Sequence, residues 1–138
     1  MIAYLDASVL LRLVLGEPEA WEGWTEVQRA VASGLTEVEV LRTLDRLARQ
    51  GALTVDEVAE RRAAALALLE RIELIEVSPP ILRRAAEPFP TPLGTLDAIH
   101  LATALAWREG REPDLTLATH DRALGAAARA FGFRVLGL

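Results

Sequence analysis

The stretch IAYLDASVLLRLV, residues 2–14, joins a short apolar run to a buried helical pattern through a single acidic residue, Asp6. Residues 2–5 are apolar and too few for a helix, so they predict a buried strand. Residues 9–15 have the apolar content of a buried helix. A strand that passes directly into a helix is typical of the βα units that build parallel sheets. The chain therefore begins like an α/β protein.

Strand and helix patterns continue to alternate along the chain. Residues 17–31 carry tryptophans and valines at three- and four-residue spacing, which predicts an amphipathic helix followed by a short link, AVASGL. Further helices are predicted over residues 36–50, 54–71, 81–87, 95–109 and 121–131, strands over 73–77, 115–119 and 133–138, and a proline-rich loop over 88–94. Gly51 predicts the end of the first of these helices, and Thr54 with Glu57 predicts a capping box at the start of the second. This order predicts one domain, residues 1–138, with a mostly parallel central sheet covered by helices on both faces, a three-layer α/β/α sandwich.

The composition limits the chemistry that the chain can perform. It contains no cysteine and only 2 histidines, which excludes disulfides, thiolate nucleophiles and most zinc sites, whereas its 20 acidic residues suit Mg²⁺ or Mn²⁺. All 15 basic residues are arginine, and the net charge of −5 argues against broad electrostatic capture of nucleic acid, although local arginines can offset it. With no apolar run long enough for a membrane span and no secretory signal, we expect a cytoplasmic protein without a membrane partner.

Four acidic residues fall at junctions between the predicted elements. They are Asp6, Glu39, Asp97 and Asp121. In open parallel sheets, binding sites lie outside the carboxyl ends of the strands, where these junctions meet. Each acid alone also has a structural explanation, since Asp6 and Asp121 could cap helices and Thr36 with Glu39 matches a capping box. The individual positions therefore leave both interpretations open.

The residues around the four acids resolve this ambiguity. The stretches YLDASVLLRLV, LTEVEVLRTL, TLDAIHLATAL and LATHDRAL, in this order and spacing, resemble the acidic motifs of PIN-domain ribonucleases, most closely the VapC-type toxins. The resemblance spans nearly the whole chain. It implies a PIN-like fold and a Mg²⁺-dependent (or Mn²⁺-dependent) endoribonuclease, the toxin component of a type II toxin-antitoxin system. The implied partners are an RNA substrate, a cognate VapB-type antitoxin and a second copy of the chain in a homodimer.

The resemblance also implies roles for individual residues. It makes Asp6, Glu39, Asp97 and Asp121 the catalytic and metal-binding acids and gives Ser8 and Thr119 supporting roles. Such a cluster of carboxylates needs a cation to offset repulsion, and a metal-activated water can then attack the phosphodiester, with 5′-phosphate and 3′-hydroxyl products implied by the family. His100, one turn after Asp97, is expected to be a packed or interface residue rather than a general base. Arg12 and Arg42 could meet phosphate or form ion pairs.

Three rival classes share parts of the pattern. Receiver domains need a lysine, and this chain has none; phosphatases with an aspartate nucleophile need a second aspartate at the position of Ser8. The third alternative is a catalytically inactive PIN-like module that binds RNA or protein. Retention of all four acids counts against it.

Overall fold

A computed structural model describes residues 1–138. The chain forms one five-stranded sheet in which every strand pair is parallel. Its strands are β1 (Ile2–Leu5), β2 (Arg29–Ser33), β3 (Ile72–Ile75), β4 (Thr116–Ala118) and β5 (Val135–Leu136). In space the order is β3-β2-β1-β4-β5, which places β1 at the centre with β4 beside it. The predicted α/β class is confirmed, and the sheet is parallel throughout.

Helices cover both faces of this sheet. They are α1 (Ala7–Leu15), α2 (Leu35–Arg49), α3 (Val55–Leu69), α4 (Pro79–Ala85), α5 (Thr95–Gly110) and α6 (Arg122–Ala130). Alternate residues of β1 serve different cores: Ala3 and Leu5 pack with α1, α2 and α3, whereas Tyr4 packs with α5 and α6. This alternation follows from the two-residue period of a strand. No helix is both long enough and apolar enough to span a lipid bilayer.

The predicted helix over residues 17–31 and the link after it are wrong. The structure has a short 3₁₀ turn at Glu22–Glu26, and the supposed link forms β2 between β1 and β3. Interior strands of a parallel sheet are buried on both faces, so they lack the alternating pattern that identifies a strand. Trp21 and Trp24 still pack against the core, which explains their regular spacing without a helix. The remaining elements form where they were predicted, with small shifts at their ends.

The two predicted capping boxes have different outcomes. Thr54 and Glu57 form a complete box at the start of α3, as predicted. In contrast, α2 begins at Leu35, and Thr36 is a buried residue inside the helix whose hydroxyl makes no hydrogen bond. The structural explanation for Glu39 as part of a cap is therefore wrong, and its side chain is available for another contact.

Gly137 brings the chain after β5 against the backbone of Thr119. It has a positive φ of 88°, and a Cβ there would lie 2.8 Å from the Thr119 carbonyl oxygen. Gly132 has a similar φ of 79°, but a Cβ at that position would meet open space. We expect Gly132→Ala to lower the free energy of unfolding by about 1 kcal/mol through backbone strain, and Gly137→Ala by about 3 kcal/mol, because the clash adds to that strain. Urea unfolding of both variants measures the difference; equal losses would mean that the close contact at Thr119 is not rigid.

Candidate active site

The four predicted acids meet in one cleft at the carboxyl edge of the sheet. Asp6, Glu39, Asp97 and Asp121 all line a cavity of about 410 Å³, together with Ser8. The cause is topological, since β1 and β4 are neighbours and both end at this edge, while α2 and α5 begin there. Thr119 is fully buried beside the cleft.

Asp6 is held by two hydroxyl groups. Its Oδ2 accepts hydrogen bonds from Ser8 Oγ at 2.6 Å and from Thr119 Oγ1 at 2.9 Å. Each hydroxyl oxygen in turn accepts a backbone N–H: that of His120 for Ser8, at 3.0 Å, and that of Asp121 for Thr119, at 2.9 Å. These backbone bonds orient both hydroxyls so that their protons go to Oδ2. Oδ1 of Asp6 accepts no hydrogen bond and remains available in the cleft.

Asp6 and Asp121 were both candidates for helix caps, but only Asp121 makes a capping hydrogen bond. Asp121 is the N-cap of α6, and its Oδ1 accepts the Leu124 N–H at 2.9 Å. Asp6 occupies the N-cap position of α1, but its side chain makes no capping hydrogen bond. Asp121 thus combines a capping role with a place in the cleft, because its second oxygen has no partner. Asp6 does not cap α1, and its buried carboxylate is held by Ser8 and Thr119 instead.

Glu39 makes a contact that the sequence did not predict. Its Oε1 lies 2.5 Å from Nε2 of His100, whose Nδ1 lies 2.9 Å from the Tyr4 hydroxyl. The same Nε2 is 3.8 Å from Oδ1 of Asp6. His100 is packed, as predicted, but both ring nitrogens have polar partners. A buried histidine in an apolar helix requires such partners, and this requirement is the signal that could have indicated the contact.

Asp97 is half-buried and accepts no hydrogen bond in the structure. Burial raises the pKa of Asp97 to about 6, and the charges of Asp121 and Asp6 add to the effect. Burial lowers the pKa of His100, but its hydrogen bond with Glu39 and the surrounding carboxylates outweigh burial and leave that pKa raised. Both shifts have the sign expected in a cleft with excess negative charge.

The residues of the cleft fit a hard divalent cation by their chemistry. Asp6, Glu39 and Asp121 each engage one carboxylate oxygen with a protein donor and leave the other free, and Asp97 leaves both free. No three His, Asp or Glu side chains converge into a complete ligand set. Mg²⁺ does not need one, because it keeps several waters and binds through one or two carboxylates. A cation would also offset the repulsion at Asp97.

The raised pKa of Asp97 predicts a pH-dependent cost in stability. Without metal, its ionisation in the folded state is disfavoured, so stability is lost as pH rises through about 6. Asp97→Asn should therefore raise the thermal unfolding midpoint at pH 8 in the presence of a chelator. The gain should shrink as pH falls through about 6 and vanish below 3.8, the ordinary pKa, where the carboxyl is protonated in both states.

Thermal melts across this pH range, with the exposed Asp114→Asn as the control, measure the effect. If the gain in the unfolding midpoint does not change with pH, or if Asp114→Asn shows the same gain, then ionisation of Asp97 is not the cause of the loss in stability.

The fold and the site together define a parallel α/β protein with a carboxylate cleft suited to a divalent cation. The sequence model of the PIN domain matches residues 3–130, and the chain belongs to the PIN-domain family. The chain is 36% identical to Ribonuclease VapC35 of Mycobacterium tuberculosis over 140 residues, covering 96% of this chain and 94% of the relative. It is 33% identical to Ribonuclease VapC46 of the same organism, covering 96% and 95% of the two chains. The resemblance stated from the four motifs is confirmed.

Solved structures confirm the fold. A toxin-antitoxin complex from Klebsiella pneumoniae aligns with a TM-score of 0.68 at 22% identity, covering 97% of this chain and 95% of the other. The protein PAE2754 from Pyrobaculum aerophilum aligns with a TM-score of 0.65 at 26% identity, covering 98% and 83%. The PIN-like fold therefore stands on whole-chain similarity in both sequence and structure.

Proposed function

We propose that the protein is a divalent-metal-dependent endoribonuclease that acts on cytoplasmic RNA as the toxin of a type II toxin-antitoxin pair. The observation that carries the proposal is the cleft in which Asp6, Glu39, Asp97 and Asp121 meet without an ion pair to any arginine. The similarity to proteins named ribonucleases supports RNA as the substrate. The four acids are the proposed catalytic and metal-binding residues.

The chain's own residues prepare the cleft for a phosphodiester. When bound, Mg²⁺ or Mn²⁺ supplies an activated water nucleophile and offsets charge on the phosphate. Ser8 and Thr119 hold Asp6 so that one defined oxygen stays available, and the cap at α6 does the same for Asp121. This preorganisation spares the enzyme the cost of ordering its ligands during the reaction. Asp97 has no protein partner for its charge, so its ionisation depends most on the cation.

Arginines on α2 provide a route for the RNA backbone. Glu39, Thr43 and Arg46 follow one another at helical spacing and line the same cleft. Arg42 also lines it but pairs with Asp45 at 3.0 Å, whereas Arg46 forms no ion pair. We propose that Arg46 binds a phosphate next to the scissile one.

Two apolar surfaces support the proposed protein partners. Val38, Val55 and Leu66 are exposed on α2 and α3, where an antitoxin of the VapB type could cover them. An apolar cavity of about 720 Å³ lies between α4, the proline-rich loop and α5, and we propose this face for a homodimer. Similarity to the toxin-antitoxin complex from Klebsiella pneumoniae supports the antitoxin. The alternative of an inactive binding module would not require four acids gathered in one cleft.

Cleavage of structured RNA tests the proposed activity. We expect cleavage that needs Mg²⁺ or Mn²⁺, stops with chelator, and falls at least about 100-fold in Asp97→Asn, since even residues around metal ligands are worth 10- to 100-fold. The products should carry 5′-phosphate ends, as the family resemblance implies. The exposed Asp114→Asn is the control and should cleave normally. Cleavage that survives both chelator and Asp97→Asn would show that the proposed site is wrong.

The role of Arg46 is tested by RNA binding at several salt concentrations. Arg46→Gln should weaken RNA affinity several-fold and reduce the slope of log affinity against log salt by about 1, because one phosphate contact is lost. KM should rise with little change in kcat. Arg49→Gln, on the same helix but outside the cleft, is the matched control and should bind like the wild type. Equal effects of the two substitutions would reduce the role of Arg46 to general surface charge.

A further inference from the structure

A buried chain of hydrogen bonds links the centre of the sheet to Glu39. Tyr4 on β1 and His100 on α5 are both fully buried. The Tyr4 hydroxyl meets Nδ1 of His100 at 2.9 Å, and Nε2 of His100 meets Oε1 of Glu39 at 2.5 Å. Three elements that are distant in sequence therefore converge on one imidazole. Packing alone would be satisfied by an apolar residue at this position.

The direction of these bonds follows from the chemistry of the partners. A carboxylate only accepts hydrogen bonds, so Nε2 of His100 must carry the proton that goes to Glu39. In the neutral imidazole, Nδ1 then accepts the proton of the Tyr4 hydroxyl. In the doubly protonated imidazole, Nδ1 donates to the same oxygen. Nε2 is the donor to Glu39 in either charge state.

The Glu39 side chain needs such a restraint. It is 24% exposed, whereas Asp6 is buried and held by the hydroxyls of Ser8 and Thr119. A glutamate has more rotatable bonds than an aspartate, so it loses more side-chain entropy when it is fixed. Without His100, no other side chain in the structure would donate a hydrogen bond to Glu39.

We propose that His100 is a positioning residue that fixes one oxygen of Glu39 through its Nε2–H and leaves the second oxygen for the cation, while Tyr4 orients the imidazole. This inference rests on the proposed function, because it assigns Glu39 to a cation. With this role for His100, three acids share one arrangement, in which a protein donor occupies one carboxylate oxygen and the other oxygen is free. These acids are Asp6, Glu39 and Asp121. Contacts of this kind behind metal ligands are commonly worth 10- to 100-fold in metal affinity.

Two amide substitutions at the same position test this role. Glutamine places its NH₂ group where Nε2 of histidine lies, whereas asparagine reaches only to the level of Nδ1 and cannot contact Glu39. Mn²⁺ affinity of the metal-free protein is measured by titration calorimetry, below the unfolding transition of each variant. We expect His100→Asn to raise the Kd for Mn²⁺ by about 10- to 100-fold and His100→Gln to stay within about 3-fold of the wild type.

A double-mutant cycle separates positioning from general damage to the core. If His100 acts through Glu39, then His100→Asn should change the Mn²⁺ Kd little when Glu39→Gln is already present. An equal loss in the Asn and Gln variants, or an unchanged effect of His100→Asn in the Glu39→Gln background, would overturn the inference alone. A wild-type protein that binds neither Mn²⁺ nor Mg²⁺ would overturn the cation assignment of the proposed function, and this inference with it.

Discussion

The ends of the two central strands are held together by bonds that pass through Asp6. Its backbone N–H donates to the Ala118 carbonyl at 3.0 Å, and its carboxylate accepts from Thr119 across the same junction and from Ser8 on its own side. The sheet places β1 beside β4, and these bonds, together with the bond from the His120 N–H to Ser8 Oγ, fix how the loops after the two strands face each other. Because Asp121 and the start of α6 follow directly from Thr119, the position of the fourth acid depends on how the first is held. One buried carboxylate therefore connects the architecture of the sheet with the geometry of the cleft.

The acidic cleft lowers the stability of the folded protein, chiefly through Asp97. A buried carboxylate without donors is costly, and Asp97 combines partial burial with the nearby charges of Asp121 and Asp6. The fold tolerates this cost because the helix that carries Asp97 is anchored behind it by a row of buried residues, including Leu101 and Leu105. An unfavourable group such as this carboxylate is retained only where the packing around it holds it in place. A cation would remove much of the cost, so binding and stability are coupled at the same residue.

The sequence predicted the elements that have a local signal. The acid at the end of β1, the capping box at Thr54 and the stop at Gly51 all depend on neighbours in the chain, and the elements around them form as predicted. β2 was missed because its small apolar residues are buried on both faces, a property that depends on β1 and β3 rather than on the stretch itself. The acids of the cleft could be predicted because each lies at a junction and within a recognisable motif. The bond from His100 to Glu39 could not, because it joins α5 to α2 across the fold.

The first turns of α5 show how one helix serves several environments at once. Asp97 lines the acidic cleft, the next two residues, Ala98 and Ile99, line the apolar cavity beside α4, and His100 points inward to Tyr4 and Glu39. Successive residues of a helix point about 100° apart, so four consecutive positions reach different sides of the helix. A partner that packs against the apolar cavity would therefore lie within one helical turn of an acid of the cleft. The same turn also contains the histidine that contacts Glu39, so a shift of α5 at that face would change the positions of Asp97 and Glu39 together.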